Sequence, residues 1–170
     1  SKKPKRSKMI TLVNIIEKLQ TYYTDHYFVK SFNYGQLDLM DLKKETLFPI
    51  IHIVPGLVSV EKGQMTYNFE IVCADLLFQK ENKEERILEI LSDTLRNLTD
   101  LDAEIRHGLS IFKRDEQFEV SLPIQFQPFM EEYKNVLCGY NASYAITVPY
   151  QANACIQPKD NPIDTNLVSG

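Results

Sequence analysis

Three histidines, His26, His52 and His107, are the side chains of this sequence best suited to acid–base or metal chemistry, and they lie far apart. None stands in an HxxxH or HxH spacing or beside a cysteine, so no single helix or strand offers a metal ion two ligands. His52 lies within an apolar run, which is typical of a hydrogen-bonded core residue. We therefore expect no metal site and no catalytic histidine.

Other catalytic and cofactor signatures are also missing. The six glycines form neither GxGxxG nor GxxxxGK[ST], and no GxSxG elbow occurs. The sequence has an odd number of cysteines, and they are widely spaced: Cys73, Cys138 and Cys155. This pattern favours reduced thiols over a disulfide framework. Glu84 and Glu85 fall where a helix would begin, where acidic side chains stabilise the dipole. We expect no enzyme, no catalytic residue and no bound cofactor.

Composition indicates an ordinary folded domain. The 170 residues suit one hydrophobic core, and apolar and charged fractions of 44% and 25% are those of a globular protein. No apolar run approaches the roughly 18 residues that cross a bilayer, and the N-terminus lacks the apolar stretch of a secretory signal. The protein is expected to be neither membrane-spanning nor visibly exported.

Two segments show the apolar spacing of amphipathic helices. The first has Thr11 as its expected N-cap and ends near Asp25. The second opens at Asn82, with Glu85 in capping-box spacing, and ends at a C-cap, Gly108. One apolar stripe is expected to bury the second helix: Ile87, Leu91, Thr94, Leu98, Leu101 and Ile105.

Several other segments have the composition or alternation of β-strands. The predicted strands lie near Tyr27–Val29, within Leu47–Val60, over Met65–Phe78, in a hairpin of residues 109–112 and 118–126, and over Gly139–Pro149. Residues 72–78 lose the alternation, which indicates cover on both sides. We predict an α+β fold: an antiparallel or mixed β-sheet with an N-terminal helix and one long central helix packed on one face, and an extended C-terminal tail.

The net charge of −4 hides a basic N-terminus. Five of the nineteen Lys and Arg residues lie among the first eight positions, which leaves fourteen basic residues against 23 acidic ones. The five are Lys2, Lys3, Lys5, Arg6 and Lys8. Such an arm can contact nucleic-acid phosphates, and a solvated terminus is the alternative. We divide the chain into a flexible basic arm (1–9), a single α+β domain (10–156) and an extended tail (157–170).

The succession of elements resembles that of the tail-terminator and tail-completion family of bacteriophages, small α+β proteins that assemble as rings. The resemblance covers residues 10–156. Similar successions of elements occur in tail proteins of phages and prophages of Bacteroidota-type hosts. It is carried by Leu47–Pro55 (LFPIIHIVP), Phe69–Asp75 (FEIVCAD), Ile90–Leu95 (ILSDTL), Asn135–Tyr140 (NVLCGY) and Thr147–Tyr150 (TVPY).

This resemblance implies a structural protein of the virion, assembled in the bacterial host cytoplasm as a six-fold or twelve-fold ring. Such a ring terminates the tail or connects it to the head. The implied partners are copies of the chain itself, other tail, neck or portal proteins, and DNA passing through the ring, with no membrane. Two alternatives stay open: a cytosolic adaptor that binds proteins, and an enzyme without a recognisable motif.

A subunit interface is expected around residues 128–137. Phe129, Met130 and Tyr133 are apolar or aromatic in a loop-like stretch, and such residues are enriched in interface cores. Tyr150, at the end of the last predicted strand, is a fourth candidate. We expect this segment to project from the sheet towards a neighbouring subunit.

Overall fold

The computed structural model describes residues 9–36, 46–77, 82–132 and 135–152, which form two helices and one six-stranded sheet. Among these residues, no helix is long and apolar enough to cross a membrane. The elements in chain order are α1 (Leu12–Tyr23), β1 (Ser31–Tyr34), β2 (Ile50–Glu61), β3 (Gln64–Leu77), α2 (Lys83–His107), β4 (Glu119–Val120), β5 (Gln125–Glu132) and β6 (Val136–Pro149).

The sheet is mixed, as predicted. Its strand order is β1-β2-β3-β6, with β4 and β5 both pairing with the outer side of β6. β1 runs parallel to β2, whereas every other pair of neighbouring strands is antiparallel. The long central strands β3 and β6 pair without interruption from Gln64 opposite Pro149 to Leu77 opposite Val136.

Both helices pack on one face of the sheet, where the main core lies. The alternation in β3 turns Tyr67, Phe69, Ile71 and Cys73 towards the helices, and all four are buried. The matching set on β6 is Ala142, Tyr144, Ile146 and Val148. The face predicted for β6 is therefore confirmed.

A smaller apolar cluster lies on the opposite face, at the other end of the central strands. Val72 and Ala74 of β3 are buried there beside Leu137, and Phe129 packs against them. The strand is thus covered on both sides here, as the lost alternation predicted. In β6, a side chain at Gly139 would collide with the backbone carbonyl oxygen of Cys73, so glycine allows the close approach of β3.

The predicted N-terminal helix is confirmed, with its cap. The Thr11 hydroxyl accepts a hydrogen bond from the backbone N–H of Asn14 at 3.2 Å, and the Asn14 carbonyl oxygen accepts one from Thr11 N–H at 2.9 Å. This reciprocal pair is a capping box. Ile15 and Leu19 are buried in the core one helical turn apart.

The long helix lies where it was predicted, but its buried face is rotated. Ile90, Leu98, Leu101 and Ile105 are buried, whereas Ile87 and Leu91 are only half-buried. Thr94, which the predicted stripe included, is buried, and the buried face also includes two polar residues that the stripe left out, Asn97 and Asp102. Asn82 caps the helix without a hydrogen bond from its side chain to the backbone, so the predicted capping box is wrong.

Two predicted strands and the predicted interface segment need correction. The first strand begins at Ser31, because residues 27–29 form the turn that follows α1. Residues 109–112 form a turn and not a strand, with Ile111 and Phe112 buried as core anchors. The segment of residues 128–137 does not project: most of it belongs to β5 and β6, which pair along the sheet edge.

Candidate subunit interface

Side chains suited to catalysis do not come together in the described part of the chain. No three His, Cys, Asp or Glu residues of that part converge as metal ligands would. Cys73 and Cys138 are buried free thiols, and burial raises the pKa of both. His52 is buried, and its Nε2 donates to the carbonyl oxygen of Gly35 at 2.9 Å, as expected for a core histidine.

A buried polar group that includes Tyr144, Asp102 and Arg106 holds α2 against the sheet. Tyr144 of β6 donates its hydroxyl hydrogen to Asp102 at 3.0 Å, and Arg106 pairs with the same carboxylate at 2.7 Å. Burial, followed by the charge of Asp102, raises the pKa of Tyr144 far above its ordinary value. A tyrosine that stays protonated at neutral pH cannot act as a base. We therefore assign Tyr144 and Asp102 a structural role, in which they attach α2 to the sheet.

A second buried polar group lies closer to the N-terminus of α2. Asn97 accepts a hydrogen bond from the Tyr23 hydroxyl at 3.0 Å and contacts Cys73 Sγ at 3.8 Å. It ties α1, α2 and β3 together at one point. Both polar groups therefore account for the buried polar residues of α2 without any catalytic role.

An open depression of about 630 Å³ lies between α1 and β1, lined in part by Tyr23, His26, Tyr27 and Phe32. His26 Nδ1 accepts the backbone N–H groups of Phe28 and Val29, both at 3.1 Å. The imidazole thus anchors its own turn. Nδ1 is therefore not available to a ligand in the depression.

The free edge of β2 is the most distinctive surface of the described residues. β1 pairs only with Ile50–Ile53, so from Val54 to Glu61 no described strand pairs with the outer side of β2. Residues Val54–Val60 contain no charged side chain. An edge strand of this kind presents unpaired N–H and C=O groups, and natural edges are usually protected by charge, proline or cover.

A β-bulge shapes this edge. The β2–β3 register shifts between Pro55 and Val58, and the side-chain amide of Asn68 donates to the carbonyl oxygen of Leu57 at 3.0 Å. A side chain at Gly56 would meet the backbone oxygen of Asn68 at 2.9 Å, so glycine suits this position. Bulges of this kind redirect side chains.

The apolar side chains of this edge are left uncovered. Leu57 is 82% exposed, Val60 57% and Val58 48%, beyond the region that the helices cover. Together with the unpaired strand they form a surface that we call the β2 edge, residues 54–61. Exposed apolar residues clustered on an unprotected edge are typical of a surface that another chain covers.

The opposite edge of the sheet has different properties. Val120 pairs with Ile146 and Gln125 with Ser143, so residues 121–124 lie opposite only residues 144 and 145 and break the edge strand. β5 carries Pro128 and ends in Glu131 and Glu132. Breaks, proline and charge hinder strand addition along this edge, whereas in β2 the proline and the bulge lie before Val58 and leave residues 58–60 without such protection.

Two of the residues predicted for the interface, Phe129 and Met130, lie in β5 on the protected edge. Phe129 stands opposite Gly139 and packs on the smaller apolar cluster, so contacts within its own sheet account for it. Met130, also in β5, is 51% exposed. Tyr150 is half-buried, and its backbone N–H donates to the carbonyl oxygen of Gly63 at 2.9 Å. Tyr133 lies outside the described residues.

The predicted basic contacts with nucleic acid, Lys2, Lys3, Lys5, Arg6 and Lys8, also lie outside the described residues. The structure brings Phe129 and Met130 together on one strand and places Tyr150 at the end of β6. Sequence reasoning missed Leu57, Val58 and Val60. Their only signal was an apolar run that continues past Pro55 and Gly56 without a charge.

Comparison with known proteins adds no relative. No family model matches the chain, and no curated protein matches it.

Proposed function

We propose that this chain is a structural subunit that assembles with copies of itself into a ring at the head–tail junction of a bacteriophage, as a tail terminator or tail-completion protein. The ring and the phage context come from the resemblance of the element order to that family. In this proposal the protein is not an enzyme, and its working surfaces are contacts between subunits and with neighbouring tail, neck or portal proteins.

One observation carries the proposal: a sheet edge that no described strand covers after the bulge, with three exposed apolar side chains, Leu57, Val58 and Val60. A single chain with such an edge tends to recruit another strand. In the proposed ring, the β2 edge contacts a different surface of the neighbouring subunit. Contacts between unlike surfaces generate closed rings when the rotation between subunits closes.

Light scattering coupled to size-exclusion chromatography tests the proposal. The chain has a mass of 19.7 kDa, and we expect a much larger particle whose mass is a multiple of that value. Val60→Lys places a charge on the β2 edge and should lower the particle mass, because charge on an edge strand opposes pairing. Leu88→Lys is the matched control, since Leu88 is 67% exposed on α2, away from the edge.

A single-chain mass for the unmodified protein at every concentration would contradict the ring and favour the adaptor alternative. An equal loss of mass in the Val60→Lys and Leu88→Lys variants would show that added charge, and not the edge, causes the change. Electron microscopy of the large particle would then give the number of subunits.

A further inference from the structure

The β2 edge lies near the point where the described chain ends. β6 ends at Pro149, opposite Gln64, and the Tyr150 N–H donates to the carbonyl oxygen of Gly63 at 2.9 Å. Gly63 belongs to the turn between β2 and β3. The described chain therefore ends at the same end of the sheet as the β2 edge, and residues 153–170 follow it in sequence.

The sequence of this segment is suited to a short strand. Apolar Ala152, Ala154 and Ile156 alternate with Asn153, Cys155 and Gln157, so one side of an extended chain would be wholly apolar and the other would carry two amides and a thiol. Pro158 follows and ends the pattern. Residues 153–157 match the usual strand length of about five residues.

We propose that residues 153–157 of one copy add a strand to the β2 edge of a neighbouring copy. This inference rests on the proposed function, because it names the contact by which the subunits assemble. The donated strand would pair with the backbone of residues 58–61, after Pro55 and the bulge, on the same side of β2 as β1 beside Ile50–Ile53. Its apolar face would cover Leu57, Val58 or Val60.

The usual spacing between strands indicates whether residues 153–157 reach the β2 edge of their own copy or that of a neighbour. The position outside β2 lies three strands away from β6 in the order β6-β3-β2, which is about 14 Å at the usual spacing. From Tyr150, the three residues to Asn153 span at most about 10 Å when fully extended. In addition, β6 runs towards the hairpin turn, so the chain would have to reverse direction to follow its own β2. A neighbouring copy requires neither the long crossing nor the reversal.

The first experiment removes the donor. A chain ending at Ala152 should run at the mass of a single chain in light scattering, whereas the full chain forms the large particle. Thermal unfolding by circular dichroism checks that the shortened chain is folded, since all three clusters of buried apolar residues lie within residues 10–148. If the full chain is itself a single chain, the proposed function fails and this inference fails with it. If both chains form the large particle, only the strand donation fails.

The second experiment uses the native thiol of the segment, Cys155. Val58→Cys, Ser59→Cys and Val60→Cys are made one at a time, because directly opposed residues on adjacent strands have the Cα separation that a disulfide requires. Cys73 and Cys138 are buried and do not compete. Under mild oxidation, at least one variant should give a ladder of multiples of 19.7 kDa on a non-reducing gel. The same variants carrying Cys155→Ser should show no ladder.

The pattern of crosslinks identifies the occupant. A ladder above two chains supports donation around a ring, and a product that stops at two chains indicates a reciprocal exchange and overturns the ring form of the inference. A disulfide within one chain, seen as a faster-running monomer, would assign the edge to the same copy. Absence of any crosslink at all three positions would overturn the donation and leave residues 37–45, which follow β1, as the rival occupant of the edge.

Discussion

Tyr144 shows how a single hydroxyl joins a helix to the sheet. Its ring stacks on Phe69 with centroids 5.7 Å apart, while its hydroxyl bonds to the buried Asp102 carboxylate. Tyr144→Phe keeps the ring and removes only the hydrogen bond to a charged group. We expect a loss of about 1.5–3 kcal/mol in the free energy of unfolding, measured with urea.

Tyr140→Phe is the matched control, because Tyr140 lies on the same face of β6 and no described residue bonds to its hydroxyl. An equal loss in the two variants would show that the Asp102 contact adds no stability. Retention of full stability by Tyr144→Phe alone would lead to the same conclusion.

His26 makes stability depend on pH. Burial, together with the positive charge of Lys30, lowers the pKa of His26 below its ordinary value of 6.5, although Asp100 opposes the shift. Protonation of Nδ1 would also break its bonds to the N–H groups of Phe28 and Val29. The unfolded chain therefore binds the proton more readily than the folded chain. The contribution of His26 is complete above about pH 6.5 and is lost as pH falls through the lower folded pKa.

Melting temperatures at pH 7.5 and pH 5 measure this effect. The unmodified protein should lose more stability on acidification than His26→Asn, whose side-chain oxygen can still accept a hydrogen bond and does not titrate. His107→Asn, at the exposed end of α2, serves as the control and should keep the full pH dependence. The hypothesis is wrong if His26→Asn loses as much stability as the unmodified chain.

At the scale of elements, alanine variants can test which face of α2 is buried against the sheet. Leucine and isoleucine positions spaced by four and three residues predict a stripe through Ile87, but the structure buries Ile90 instead and leaves Ile87 half-buried. Ile90→Ala should therefore cost about 2–5 kcal/mol and Ile87→Ala clearly less. Leu98→Ala should cost as much as Ile90→Ala, because both orientations bury Leu98. The free energy of unfolding is measured with urea. A larger loss for Ile87→Ala than for Ile90→Ala would contradict the buried face that the structure gives α2.

The elements that could be predicted are those with local signals. α1 has Thr11 as its cap, α2 ends at Gly108, and β3 and β6 alternate along most of their length, so their positions follow from residues close in sequence. The rotation of α2 could not be predicted, because Asn97 and Asp102 are buried only through partners on distant elements, Tyr23 and Tyr144.

β5 and the β2 edge were missed for a related reason. β5 (QFQPFMEE) is largely exposed and contains a proline, so its alternation is weak although it pairs with β6 over eight positions. Whether a strand lies at the edge of a sheet depends on the order in which strands pair. That order is a property of contacts far apart in sequence, so Leu57, Val58 and Val60 looked like core residues of an apolar strand.

At the scale of the whole molecule, the charges divide between the N-terminus and the remaining chain. Five basic residues precede a body with fourteen basic and 23 acidic residues. A ring of such bodies around DNA would repel phosphate, and an inward basic arm on each subunit would offset that repulsion. The arm lies outside the described residues, so its role is a hypothesis that solution binding must test.

Salt dependence is the property that identifies phosphate contact. If all five basic side chains of residues 1–8 contact duplex DNA, log K should fall with log salt at a slope of about −4 to −5, and affinity should drop about 500-fold between 50 and 200 mM salt. We expect this steep dependence for the full chain and its loss after deletion of residues 1–8, measured by fluorescence anisotropy with a labelled duplex. A variant with the five basic residues changed to Gln keeps the length of the arm and should behave like the deletion. Equal binding by all three proteins at every salt concentration would remove DNA from the partners of this arm, and the ring proposal would then rest on the β2 edge alone.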